Sequence, residues 1–297
     1  MKKTVAVLGS IATAAVLAIG AGQPASGETA AAGKGRGHYA DVNGLHLYYE
    51  VHGKDRGKPP LVLVHGAFSA TGTSWGQLIA PLSRTRQVIS VELQGHGHTA
   101  DIDRPLRVES MAADVAALLD VIDVPKADVY GYSMGAGVAM TLGVNYPDKV
   151  NKLVLSSVPF NDSGYYPGHL EMMDQITPEM LKATPFYDEY ARIAPRPEDF
   201  DALVGKVKEM VRHTPQYTAA ELSRLAPTLT IVGDSDIVAP AHAVEQFLAT
   251  GGGVNGDLAG LPNSQLAILP GTSHTTATVQ AQILTPMVTS FLDAPVA

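Results

Sequence analysis

The stretch GYSMG, residues 131–135, places Ser133 between two glycines at the end of a short apolar β run and the start of an Ala- and Gly-rich helical stretch. A serine at such a junction stands on a sharp turn, with its hydroxyl pushed beyond the sheet edge. Flanking glycines let neighbouring backbone come close. The helix start behind it supplies free N–H groups and a positive dipole end, which favour developing negative charge. Serine attacks only when a base takes its proton, and an imidazole base needs a carboxylate to hold its tautomer. Asp234 and Asp236 follow the apolar run 228–232, and His274 follows the run 266–269. The other reading of GYSMG is a tight glycine turn that does no chemistry.

These groups meet only if the runs before them share one sheet edge. Apolar runs at 61–64, 88–91, 128–130, 152–156, 228–232 and 266–269 alternate with helix-like segments at 74–82, 111–122, 134–146, 241–250 and 279–292. That rhythm predicts an α/β fold: a parallel sheet with helices on both faces. Strand C-termini then lie along one edge, where such sheets bind ligands. Alternating residues flank Asn43-Gly44 and predict a β-hairpin as an antiparallel edge. The rhythm breaks over 158–226, a segment rich in Pro, Met and Tyr, with helical patches at 170–176, 178–183 and 200–213. We read it as an inserted helical cap over the crevice; a packed helical lobe away from any substrate is the other reading. The core is then 38–157 and 227–297.

Five segments in this order resemble the α/β-hydrolase fold family: VHGAF (64–68), ELQGHGHT (92–99), GYSMG (131–135), GDSDIVAP (233–240) and PGTSH (270–274). The resemblance spans about 38–295. It implies a mostly parallel eight-stranded sheet, Ser133 as nucleophile on a nucleophile elbow, His274 as base and Asp236 as acid, with Asp234 second. It also implies an oxyanion hole from the backbone N–H groups of Ala67 and Met134, with Phe68 the alternative to Ala67. Glu92 stands where the family commonly has Asp, and Gln94 where Arg or Pro is commoner. A serine nucleophile argues against haloalkane dehalogenase and epoxide hydrolase chemistry. The implied activity is hydrolysis of a small-molecule ester or lactone through an acyl-enzyme. The alternatives are cofactor-free haloperoxidase or perhydrolase chemistry, C–C bond hydrolysis, or a non-catalytic ligand-binding protein on the same fold.

Composition narrows the classes. The 297 residues carry 45% hydrophobic residues and a formal charge of -8 without a long basic run, which argues against nucleic acid and anionic membrane surfaces as partners. No cysteine is present, so disulfides and thiolate chemistry are excluded. No P-loop or dinucleotide fingerprint follows a strand, and neither cofactor nor metal is expected. His96-Gly97-His98 reads as a structural turn, His65 as orienting its loop, and His169, His213 and His242 as surface residues. At the N-terminus, Lys2 and Lys3 precede an uncharged apolar run with a small-residue exit. That layout predicts a signal peptide over 1–27 and a flexible leader over 28–37, hence a secreted or periplasmic protein with no stable membrane association.

Overall fold

The computed structural model describes residues 36–296. The expected signal peptide and residues 28–35 lie outside them. Arg36 and Gly37, expected as the end of the leader, already pair with Val51 and Glu50.

The chain runs β1 (Arg36–Val42), β2 (Leu45–His52), β3 (Leu61–Val64), α1 (Thr71–Trp75), α2 (Ile79–Leu82), β4 (Val88–Val91), α3 (Val108–Val121), β5 (Ala127–Tyr132), α4 (Met134–Asn145) and β6 (Val150–Ser156). Helices α5 (His169–Gln175), α6 (Pro178–Lys182), α7 (Pro185–Ile193), α8 (Phe200–Val211) and α9 (Ala219–Leu222) follow. The last part is β7 (Thr228–Ser235), α10 (Pro240–Ala249), α11 (Gly256–Ala259), β8 (Gln265–Ser273) and α12 (Ala281–Asp293). The strands form one sheet in the order β1-β2-β4-β3-β5-β6-β7-β8. β1–β2 and β2–β4 are antiparallel, and every other pair is parallel.

Both faces of the sheet are covered, and β3 shows why its sequence is continuously apolar. Val62 and Val64 enter the core beneath α3 and α4, while Leu61 and Leu63 enter the core with α1, α2 and α12. All four are fully buried, each contributing on the order of 1.5–3 kcal/mol. Trp75 is buried in the second core, its ring edge-on to Tyr130 of β5 at 4.8 Å between centroids. Arg86 is buried with the carboxylate of Asp128 2.5 Å away and also pairs with Asp293. Lys152 donates to the carbonyls of Phe291, Leu292 and Ala294, closing the end of α12.

Three expectations are corrected. The helix expected over 74–82 is two short helices, α1 and α2. The break falls at 76–78; Pro81, in the first turn of α2, has no N–H to give the carbonyl of Gln77, so that bond of a continuous helix is missing. Residues 251–263, which the Gly-rich sequence predicts as a flexible excursion, hold a short helix, α11, whose start is capped by the Asn255 side chain accepting from the Asp257 N–H. The last strand runs past 269 to Ser273, carrying its ladder to the residue before His274.

Candidate active site

The turn between β5 and α4 carries Ser133 at φ 53° and ψ -120°, a strained conformation for a residue with a side chain. It persists because the backbones beside it are packed too closely to relax. A Cβ on Gly131 would lie 2.2 Å from the Gly135 carbonyl oxygen, and one on Gly135 only 2.0 Å from that of Val64. The two glycines of the motif are therefore steric requirements of the turn. Ser133 N–H donates to the Ser156 carbonyl of β6, which pins the serine to the sheet edge.

The strand ends bring the partners together. Ser133 Oγ lies 2.9 Å from His274 Nε2, and His274 Nδ1 lies 2.8 Å from Asp236 Oδ1. The carboxylate can only accept, so Nδ1 carries the proton and Nε2 is free to accept from the serine hydroxyl. The second oxygen of Asp236 accepts from the Ser157 hydroxyl at 2.6 Å and from the Gly233 N–H at 3.4 Å. Burial pushes the Asp236 carboxyl up. The hydrogen bond and charge of His274, with the bonds from Ser157 and Val238, outweigh it and hold the group below its ordinary value. The Tyr132 hydroxyl donates to the His274 carbonyl at 2.7 Å and fixes the backbone behind the imidazole.

Asp234 is not in this group. It lies on β7, exposed, and accepts from the N–H groups of Gly271 and Thr272, joining β7 to β8. Ser157, a positive-φ residue directly after β6, went unnoticed in the sequence. Its place after an apolar strand is the only signal that could have drawn attention to it.

Ala67 and Met134 border the same cavity as Ser133 and His274. The Met134 N–H, in the first turn of α4, has no partner within the helix. His65 holds the Ala67 loop: its Nδ1–H donates to Gly66 O at 2.8 Å, and its Nε2 accepts the Leu93 N–H at 3.0 Å. Burial first, then His96 beside it, pushes the His65 imidazole down to about 3, which keeps Nε2 an acceptor. Burial likewise pushes His96 down to about 4. Glu92 is buried and accepts from the Thr71 N–H and from both the N–H and the ring of His98. Gln94 joins Asp101 to Arg104. Both departures from the family pattern thus have structural work in the 92–104 turn. His96 and His98 bond to protein acceptors, and among the described residues no group of three could hold a metal ion.

The cavity has a volume of about 790 Å³ and lies between the strand ends and the 158–226 segment. Six of the chain's nine methionines line it: Met134, Met140, Met172, Met173, Met180 and Met210. Among the described residues, no lysine or arginine lines it. Two histidines expected at the surface are buried. His169 packs within the cap against Tyr165, and His242 stacks on Phe160 while accepting its N–H. Imidazole rings bury readily against aromatic faces, and their polarity alone hides this in a sequence. His213 remains at the surface.

A family model described as alpha/beta hydrolase fold matches residues 59–221. The pyrrolizixenacetamide deacetylase of Xenorhabdus hominickii is 33% identical over 114 residues, 38% of this chain and 42% of that protein. The chain thus spans less than half the length of the first curated relatives it matches. A candidate non-heme chloroperoxidase of Synechocystis sp. is 25% identical over 284 residues, 84% of this chain and 95% of that protein. The enol-lactonase structure from Burkholderia xenovorans LB400 superposes with a TM-score of 0.65 at 22% identity, over 86% of this chain and all of that one, a likeness of fold.

Proposed function

The chain belongs to the alpha/beta hydrolase fold family, and from that premise we propose that it is a serine hydrolase cleaving a small-molecule carboxylic ester or lactone. The observation that carries the reading is the unbroken relay from Ser133 through His274 to Asp236, at 2.9 and 2.8 Å.

In this reading Ser133 Oγ attacks the carbonyl carbon while His274 Nε2 takes the hydroxyl proton. The oxygen of the tetrahedral intermediate accepts from the N–H groups of Ala67 and Met134. Loss of one such donor raises a barrier by roughly 2.7–4 kcal/mol. The intermediate collapses and expels the alcohol, which takes the proton back from His274. Water then attacks the acyl-enzyme by the same route, releasing the acid and restoring Ser133. Asp236 holds the imidazole in the required tautomer and stabilises it when charged. The methionine-rich lining adapts to apolar groups of varied shape, and its lack of a cation favours uncharged substrates.

A Ser133→Ala variant tests the reading on p-nitrophenyl esters of increasing chain length and on simple lactones. The expected loss in kcat is on the order of 10³ or more, with no labelling by a fluorophosphonate probe. Full activity in the variant overturns the mechanism, and an unlabelled, folded, inactive wild type overturns the enzyme. The near full-length likeness to the candidate chloroperoxidase favours a second reading. There hydrogen peroxide replaces water on the acyl-enzyme and yields a peracid, and a peroxide-dependent halogenation assay with acetate checks it. Secretion or periplasmic export, proposed from residues 1–27, is checked by N-terminal sequencing of the mature protein.

A further inference from the structure

His169 lies in the cavity, and the proposed mechanism leaves it unused. It opens α5, is 9% exposed, and stands among a mainly apolar lining that includes Met172, Met173 and Ile176. Neither ring nitrogen has a hydrogen-bond partner among the described residues, and both stay reachable by a small molecule. A nine-tenths-buried imidazole without a partner is costly unless something bonds to it.

Its position is fixed from two sides. The ring stacks on Tyr165, with centroids 4.3 Å apart and planes inclined by 19°. Tyr165 pairs by an antiparallel bridge with Val238, two residues beyond Asp236. The Ala239 N–H donates to the Gly164 carbonyl at 2.8 Å. His169 is therefore tied to the loop that carries Asp236. Burial, and then the nearness of His274, hold its imidazole below the ordinary value, in the neutral form. A neutral imidazole offers one N–H donor and one nitrogen acceptor.

We propose that His169 is a specificity-determining residue that hydrogen-bonds a hydroxyl or keto oxygen on an otherwise apolar, uncharged ester or lactone, close to the scissile carbonyl. This rests on the serine-hydrolase reading of the same cavity. A buried polar group of this kind discriminates against the analogue that lacks the matching oxygen, because the imidazole is then left unpaired.

The test compares methyl octanoate with its 3-hydroxy and 3-oxo counterparts. Wild-type protein is expected to favour an oxygenated ester by about tenfold or more in kcat/KM. His169→Phe keeps the stacked ring without its nitrogens. It should bring the ratio to about one through KM, by relieving methyl octanoate of the unpaired imidazole and by depriving the oxygenated esters of their bond; His169→Asn should restore part of the preference. An unchanged ratio in His169→Phe, or equal losses on all three esters, overturns the proposal. Calorimetric binding of the same esters to Ser133→Ala and to Ser133→Ala/His169→Phe decides the point without turnover. Equal binding ratios in those two proteins also overturn it. If instead the wild type hydrolyses none of the esters, or Ser133→Ala hydrolyses them fully, the serine-hydrolase reading fails, and the two binding ratios still decide for or against His169.

Discussion

Two carboxylates two residues apart have separate fates because a strand ends between them. Asp234 still belongs to β7, where its side chain faces solvent and joins the neighbouring strand through the N–H groups of Gly271 and Thr272. Asp236 lies past the strand end, where the chain turns under His274 and Ser157 closes over it. Asp236→Asn should therefore lower kcat on p-nitrophenyl esters by about 10⁴, since the amide presents the wrong tautomer to His274. Asp234→Asn should leave kcat within about threefold, and steady-state kinetics on the pair checks both. The two aspartates were legible in the sequence as candidates, but neighbours from other strands choose between them. The buried histidines carry a pH prediction. His65 and His96 are held at about 3 and about 4, below their ordinary value of 6.5, so the unfolded chain binds protons that the folded chain refuses. Their contribution is fully present above pH 6.5 and is lost as pH falls toward 4 and then 3. Unfolding free energies from urea titrations should fall by on the order of 1 kcal/mol per pH unit for each histidine between pH 6.5 and 4, and His65→Gln should flatten that slope.

At the level of elements, the strand–turn–helix around Ser133 is held by crowding as much as by hydrogen bonds. Gly135→Ala would set a methyl against the carbonyl oxygens of Val64 and His65. It should cost on the order of 3 kcal/mol or more in urea unfolding. Gly137, two residues further into α4, has its nearest neighbour at 3.7 Å, so Gly137→Ala should be neutral or stabilising by up to about 1 kcal/mol. Equal effects of the two substitutions would show that crowding does not maintain the turn. The strands were legible because those buried on both faces are apolar throughout, as in β3, or nearly so, as in β4, where Ser90 is the one polar residue. The helix expected over 74–82 was misread because its apolar spacing masks the proline within it. α11 escaped notice because four residues carry too little periodicity to reveal a helix.

Across the whole molecule, the break in strand–helix rhythm after 157 marks the cap, but how the cap attaches was not legible. Its entry bonds to the Asp236 loop through Gly164 and Tyr165. Its α7 reaches across to α1, where a Glu189 oxygen accepts the Thr73 N–H at 2.9 Å. The first of these contacts is backbone on both sides and the second on one, and backbone groups leave no trace in residue types. Removing the second should loosen the cap without touching the site. Glu189→Ala is expected to speed trypsin cleavage at Arg192 or Arg196 while Ser133 still reacts with a fluorophosphonate; cleavage at the wild-type rate would count against the contact as a fastening.

The edge contact between Trp75 and Tyr130 has an optical consequence. Trp75 is the chain's single tryptophan, and it has no exposed surface. Its ring touches the strand that leads into Ser133, and it stands two residues from the Thr73 N–H that fastens α7. Its fluorescence therefore comes from one known place between the elbow and the cap. A red shift marks the departure of β5 from the second core. A change of intensity without a shift marks a disturbance carried through α1. The protein thus holds an internal dye that distinguishes unfolding from movement of the cap, with no label attached.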